Sequence, residues 1–452
     1  MISGLAQAAG IAYQGKAVPF QGFSIDSRTL QPGQCFVAIQ NKRDGHDFIP
    51  EALQKGASAL VVTRFIPHVP VPQMVVNNTD EALGKLAHAH RQQFSIPILG
   101  ITGSSGKTSV KNFTAALLTP THTPLVAIKN FNSHWGLPLV LGTLKPHHTV
   151  AVLEMGACAP GEIAYLANIA EPTVGLITTV NPCHIEKFGS IEAIAQTKGE
   201  LYEKLKSGSK AFLNQANPFF PLWKEMAAHC QIITFGHTGS DFHARNIALA
   251  FDSSTFELVT PLGTVPIFLP LPGLHNIQNA VAASGLAWTQ GVSLLEIQQR
   301  LNRLTFSDRR LQIKRVSPTC ILIDDSYNAS PTTFAIALEV LAQYPGRKIV
   351  FMGDMGELKP EEQENLHASM GQKAKSLGID AFYGVGSLSK AACLAFGKGT
   401  EHFETQAELI QNIPRLVSTE PIVCLVKGSR FMTMDVVADA IQSLKEASHD
   451  AV

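Results

Sequence analysis

The seven cysteines of the 452-residue chain (Cys35, Cys158, Cys183, Cys230, Cys320, Cys393 and Cys424) include no C-x-x-C pair. Their odd number and wide scatter fit reduced thiols in a cytoplasmic setting better than a disulfide or zinc framework. Neither sign of charge is in excess, since Lys+Arg and Asp+Glu both number 36. There is thus no basic footprint for nucleic acid or an anionic membrane, and the expected partners are small molecules. No stretch approaches the roughly 18 apolar residues of a membrane span. The start, MISGLAQAAG, also lacks a basic region followed by an unbroken apolar core. A hydrophobic share of 45% with 35 glycines and 26 prolines is ordinary for a globular protein. At about 150 residues per domain the length suggests three units, and a monomer is expected.

Apolar runs alternating with helical stretches predict an α/β fold throughout. Residues 1–82 mix short strands (CFVAI at 35, ALVVT at 59) with turn-rich segments, as in a small α/β unit. Residues 83–306 hold strand candidates IPILGIT, TVAVLEM, VGLITTV, AFLN and QIITF, the pattern of a mostly parallel sheet covered by helices. Within it, 241–271 reads as accessory antiparallel hairpins. The polar run RLTFSDRR leads into 307–452, where CILIDDS, KIVFMGD, AFYGVG and PIVCLVKG alternate with helices expected after 331, 361, 388, 406 and 433. That is a second doubly wound, Rossmann-like unit.

The most informative stretch joins an apolar strand to a helix through Thr102-Gly103-Ser104-Ser105-Gly106-Lys107-Thr108-Ser109. Such a turn aims backbone N–H groups at phosphate oxygens, brings Lys107 to the terminal phosphates of ATP, and sets the Thr108 hydroxyl where Mg²⁺ binds. The strict G-x-x-x-x-G-K-[ST] pattern is not met, because Ile101 stands where its first glycine would be. Glu154 ends a strand at the edge facing this loop, where its carboxylate could hold magnesium. Asn276 and Asn279 open a helix, so capping it or reading a base edge are both open to them. Asp325, Tyr327 and Asn328 follow a strand, where an Asx turn before Pro331 and a nucleotide contact can coexist. Lys427, Ser429 and Arg430 lie between a strand and a helix, a geometry that suits an anion. Ser27 and Arg28, with Asp44-Gly45-His46, could meet phosphate and uracil, although the second run also reads as a plain surface turn.

The loop resembles that of the Mur ligases, ATP-dependent amide ligases of peptidoglycan precursor synthesis, and the likeness extends along the chain. It is carried by Asp26-Ser-Arg, Asp44-Gly-His-Asp, Asn132, Glu154-Met-Gly-Ala, Gly161-Glu-Ile-Ala, His184-Ile-Glu-Lys-Phe-Gly and Lys198-Gly-Glu. Further on come His275-Asn-Ile-Gln-Asn, Asp324-Asp-Ser-Tyr-Asn-Ala-Ser-Pro, Gly353-Asp-Met-Gly-Glu-Leu and Lys427-Gly-Ser-Arg. The resemblance implies UDP-N-acetylmuramoyl-tripeptide and D-alanyl-D-alanine as substrates and ATP with Mg²⁺ as cofactors. It also implies catalysis by Lys107, Glu154, His184 and Lys198, with Thr108, Glu154, His184 and a carbamylated Lys198 as metal ligands. Asn276 would meet the adenine, and Arg310, Asp325 and Asn328 the rest of the nucleotide. Asn132, Tyr327, Lys427, Ser429 and Arg430 would contact substrate. Two places depart from the family pattern: Cys158-Ala159 replaces a usual Asn-His, and Arg309 replaces the glycine usual before Arg310. Folylpolyglutamate synthases share the variant loop, but about 95 residues precede it here. A binding protein without catalysis would not be expected to keep Lys107, Thr108, Glu154, His184 and Lys198.

Overall fold

A computed structural model of the chain describes residues 1–127, 131–181, 185–304, 309–417 and 421–447. Three sheets form in succession. The first, order β1-β2-β3-β4, consists of Phe23–Ser24, Cys35–Val37, Ala59–Val62 and Gln73–Val75, all parallel.

The second holds nine strands. They are β5 (Ile98–Thr102), β6 (Pro124–Val126), β7 (Val150–Glu154), β8 (Val174–Ile177), β9 (Lys210–Asn214), β10 (Gln231–Gly236), β11 (Phe242–Leu249), β12 (Ser254–Thr260) and β13 (Gly263–Leu269). Their order is β13-β12-β11-β10-β9-β8-β5-β7-β6. The β6-to-β10 part is parallel, and β5, β7 and β8 are buried along their whole length, as sheets covered on both faces require. β11 to β13 pair antiparallel, the accessory hairpins expected at 241–271.

The third sheet contains β14 (Gln312–Ser317), β15 (Cys320–Asp325), β16 (Arg347–Gly353), β17 (Ala381–Val385), β18 (Thr400–Phe403) and β19 (Ile422–Lys427), in the order β14-β15-β19-β16-β17-β18. Only β14 runs antiparallel. It was not expected, because QIKRVS carries two cations and lies half exposed at an edge. Helices begin at Pro331, Gln363, Ser389, Gln406 and Asp435, within two residues of expectation.

The cut expected at residue 82 runs through the helix Thr79–Arg91. Its buried Leu83, Leu86 and Ala87 belong to one core with strands of the first sheet and with Leu137 and Leu166 of the central layers. Arg91 fastens its end, donating to the Ala170 carbonyl at 2.8 Å. The first two sheets therefore share a core, whereas the third has its own on either face. The six cysteines among the described residues are free thiols. No helix among those residues is long and apolar enough to cross a membrane.

Candidate active site

The carboxyl edge of the central sheet faces the third sheet across a cleft of about 1110 Å³. Parallel register brings its floor together. Ile101 on β5 lies beside Glu154 on β7, and Thr102 beside Ile177 on β8, so three strand ends converge where the phosphate loop begins.

The loop is held from beneath. Thr102 donates its hydroxyl to the Met155 carbonyl at 2.7 Å, and Ser104 donates its N–H to the Thr179 carbonyl at 2.7 Å. Thr178 donates its hydroxyl to the Ser105 carbonyl at 2.6 Å, and Asn181 its side-chain amide to the Ser105 hydroxyl at 3.3 Å. Gly103, at φ +146°, passes so close to Thr178 that a β-carbon there would stand 1.9 Å from its hydroxyl oxygen. Gly106 caps the helix Lys107–Leu118 at φ +81°, with Asn279 beside it. Both positions need glycine. The helix N-terminus opens into the cleft, and Ser109 is buried in its first turn. Lys107 folds back in this state, its ammonium donating to the Gly103 carbonyl at 2.7 Å.

Glu154 is 3% exposed. One carboxylate oxygen accepts from the Thr108 hydroxyl at 2.8 Å and the other from the Asn132 amide at 2.7 Å. Lys198, on the helix Ile191–Glu203, lines the same cleft and is 2% exposed, so it is no solvated helix lysine. His184 lies outside the described residues. Among those described, no cluster of three His, Cys, Asp or Glu side chains could hold a metal.

Asn276 bonds back to the Pro272 carbonyl at 2.8 Å, and no side chain caps the helix Leu274–Trp288, so capping is not what the two asparagines do. His275 beside them is crowded enough that its imidazole titrates down at about 4, through burial and then the nearby Lys427 charge.

Across the cleft, Asp325 and Lys427 are register partners on β15 and β19. The Lys427 ammonium donates to Asp325 Oδ2 at 2.6 Å and to the Asn328 carbonyl at 2.9 Å. Burial raises the Asp325 carboxyl against the pull of that ammonium. Asn328 Oδ1 accepts the N–H groups of Ala329 and Arg430. The helix at Pro331 starts on a capping box of Ser330 with Thr333, where an Asx turn was expected. The Ser429 hydroxyl joins the Ala329 carbonyl to the Gly356 N–H. Lys427 and Ser429 thus knit the loops of the third sheet. The Arg310 guanidinium stacks 4.2 Å from the centre of the Tyr327 ring, and that of Arg430 lies 5.9 Å away.

The candidates of the first sheet do not line this cleft. Arg28 is bidentate to Asp26 at 2.9 and 2.8 Å, and Ser27 donates to Glu51 at 2.6 Å. The His46 ring is buried between Asp44, at 2.6 Å, and the Thr63 N–H, at 3.0 Å. Backbone and side-chain bonds from His46, joined by Arg64, hold the Asp44 carboxyl down at about 2. Gly45 packs against the Ile39 carbonyl, leaving no room for a β-carbon. The run is a pinned turn.

Sequence reasoning missed several cleft residues. Glu162 accepts the Cys158 N–H at 2.7 Å and the Ala159 N–H at 3.3 Å, using backbone where the family pattern has side chains. Thr178 and Asn181, which shape the loop, sit in the polar run TTVN straight after β8, the one signal that could have found them.

Family models for the Mur ligase family catalytic domain, the Mur ligase middle domain and the Mur ligase glutamate ligase domain match residues 19–91, 101–287 and 309–430. The UDP-N-acetylmuramoyl-tripeptide--D-alanyl-D-alanine ligase of Escherichia coli (strain K12) is 38% identical over 433 residues, which cover 95% of each chain. A crystal structure of MurF from Acinetobacter baumannii superposes with a TM-score of 0.91 at 33% identity, covering 98% of both chains. The MurF ligase of Thermotoga maritima in complex with ADP gives 0.81 at 27% identity over 95% of this chain and 98% of that one. With kinship of this extent along nearly its whole length, the chain belongs to the Mur ligase family.

Proposed function

We propose that this chain joins D-alanyl-D-alanine to UDP-N-acetylmuramoyl-tripeptide at the expense of ATP, giving UDP-N-acetylmuramoyl-pentapeptide, ADP and phosphate in the cytoplasmic stage of peptidoglycan synthesis. The observation that carries the reading is the meeting of the phosphate loop, Glu154 and Lys198 in one cleft, facing Asp325, Arg310 and Lys427 of the third sheet. An identity of 38% over 95% of a ligase with this name supports the choice of substrates.

In this reading the N–H groups of residues 103–108 and the helix dipole bind the triphosphate. Lys107 leaves the Gly103 carbonyl to take up the terminal phosphate. Asn276 and Asn279 serve the adenine side, and Arg310, Asp325 and Asn328 the nucleotide from across the cleft. The tripeptide's terminal carboxylate attacks the γ-phosphorus, and the β,γ-bridging oxygen leaves with ADP. The dipeptide's amine then attacks the acyl carbon of the acyl phosphate. The carbon–oxygen bond to phosphate breaks and the amine gives up a proton. Asn132, Tyr327, Ser429 and Arg430 orient the peptide partners, while Ser27, Arg28 and Asp44-Gly45-His46 serve the uridine nucleotide.

Hard oxygen donors beside the loop, the Thr108 hydroxyl and the Glu154 carboxylate at 2.8 Å from each other, fit Mg²⁺. Thr108, Glu154, His184 and Lys198 would hold it, the last as a carbamate formed from neutral amine and CO₂ with loss of a proton. The ion would neutralise charge shared between the phosphates and the attacking carboxylate. Turnover should require both peptide partners and release ADP and inorganic phosphate; AMP and pyrophosphate among the products would overturn the acyl-phosphate route.

A further inference from the structure

Arg309 and Leu311 both adopt left-handed backbone, with φ of +51° and +50°, and Arg310 stands between them. Side chains with a β-carbon avoid this region because they crowd the neighbouring carbonyl, so two such residues in three persist only where surrounding bonds hold them. Those bonds are present. Arg309 Nη2 lies 3.0 and 3.1 Å from the two carboxylate oxygens of Asp439 on the helix Asp435–Ala447. Its Nη1 donates to the Asp435 carbonyl at 3.1 Å and lies 3.8 Å from the buried Asp324 carboxylate. The Arg309 carbonyl accepts the Tyr327 N–H at 3.2 Å, and Leu311 donates its N–H to Asp325 Oδ1 at 3.0 Å. All of these partners belong to the third sheet, its loops or its covering helix.

What this bracket presents is Arg310. Its guanidinium lies over the Tyr327 ring at the cleft wall, and its Nε is buried without a hydrogen-bond partner among the described residues. A buried guanidinium N–H lacking an acceptor is costly, and an anionic oxygen entering the cleft would satisfy it. Arg309 itself does not line the cleft.

We propose that Arg309 is a positioning residue for Arg310: its ion pair with Asp439 holds the left-handed bracket that turns the Arg310 guanidinium over Tyr327 toward the phosphates of the nucleotide. The inference rests on reading Arg310 as a nucleotide contact. It also explains how a non-glycine residue is tolerated at 309, since the side chain that strains the backbone supplies the bonds that fix it.

The Asp439 side chain is 54% exposed, so Asp439→Ala is expected to fold, as circular dichroism would verify. In the full enzyme it should raise KM for ATP about tenfold, the scale of a lost charge-assisted contact, while KM for each peptide substrate stays within about twofold. Arg309→Ala, which keeps a β-carbon at φ +51° and removes the guanidinium, should give the same split. The double variant should be no worse than either single one, and Arg309→Lys should recover part of the loss. A lowered melting temperature with KM for ATP unchanged in both single variants would mean a merely structural tie and overturn the inference. Arg310→Ala separates the layers. If it raises KM for ATP while the Arg309 and Asp439 variants do not, the positioning inference alone falls. If it leaves KM for ATP unchanged, the nucleotide reading of Arg310 falls, and the inference with it.

Discussion

Thr108 and Glu154, 46 residues apart in the chain, meet hydroxyl to carboxylate at 2.8 Å and so tie the start of the phosphate-loop helix to the end of β7. Because Asn132 occupies the other carboxylate oxygen, the orientation of Glu154 is fixed before any ligand arrives. Glu154→Gln keeps the shape and removes the charge. Phosphate release should fall roughly 10²-fold or more, the scale of a lost preorganised electrostatic contact, while the melting temperature moves by only a few degrees. Near-normal turnover in a folded variant would remove Glu154 from the chemistry.

Lys107 tests the loop itself. Among the described residues its ammonium meets the loop carbonyls of Gly103 and Ser104, so Lys107→Ala sacrifices little packing. Ligation should drop by roughly 10²-fold or more with the thermal transition nearly unchanged, checked by coupled phosphate assay and calorimetry on the same preparation.

The strand, glycine turn and helix around residues 98–118 and the place of Glu154 at a strand end were legible in the sequence because both are local. The alternation of apolar runs likewise foretold the parallel strands of the central and third sheets. Long-range pairing was not legible. Nothing in AIAQTKGELYE reveals that Lys198 is 2% exposed, since helical periodicity alone does not say what covers a face. That Asp26, two residues before it, pairs with Arg28 was not visible either, although the Arg28 side chain stays 81% exposed. The edge strand β14 escaped notice because edge strands tolerate charge, and the helix Thr79–Arg91 did so as a boundary because a helix inside one core shared by two sheets carries no composition break.

Lys427 and Asp325 form a buried pair at 2.6 Å, exposed by 2% and 10% at the side chain. Removing one partner strands the other's charge, which typically costs about 3–5 kcal/mol. Lys427→Met should therefore lower the unfolding free energy by about that much in denaturant titration. The double variant Lys427→Met/Asp325→Leu should recover a large part of it. A loss below about 1 kcal/mol in the single variant would mean that water reaches the pair.

The His275 imidazole, titrating at about 4 in the fold against an ordinary 6.5, binds its proton more readily when the chain unfolds. The sign follows: its stabilising contribution is complete above pH 6.5 and is lost as pH falls through the window from 6.5 to 4. Full loss amounts to up to about 3 kcal/mol. His275→Asn should flatten the stability profile across that window while leaving its slope at higher pH unchanged, as denaturant titrations at successive pH values would reveal.

Lys198 offers the sharpest separation of two readings. A buried lysine kept as an ammonium would repel a magnesium ion held by Thr108 and Glu154 nearby, whereas a carbamate there would place two anionic oxygens on a long stem toward it. Lys198→Ala should therefore lose activity by roughly 10²-fold or more and regain part of it with added short carboxylates such as acetate or propionate, which supply the missing oxygens. A lysine acting only as a cation would predict rescue by small amines and none by carboxylates. In the unaltered protein, ¹³C-labelled bicarbonate should give a carbamate resonance that Lys198→Ala abolishes. Its absence in active enzyme, together with rescue by amines, would return Lys198 to the role of a buried ammonium.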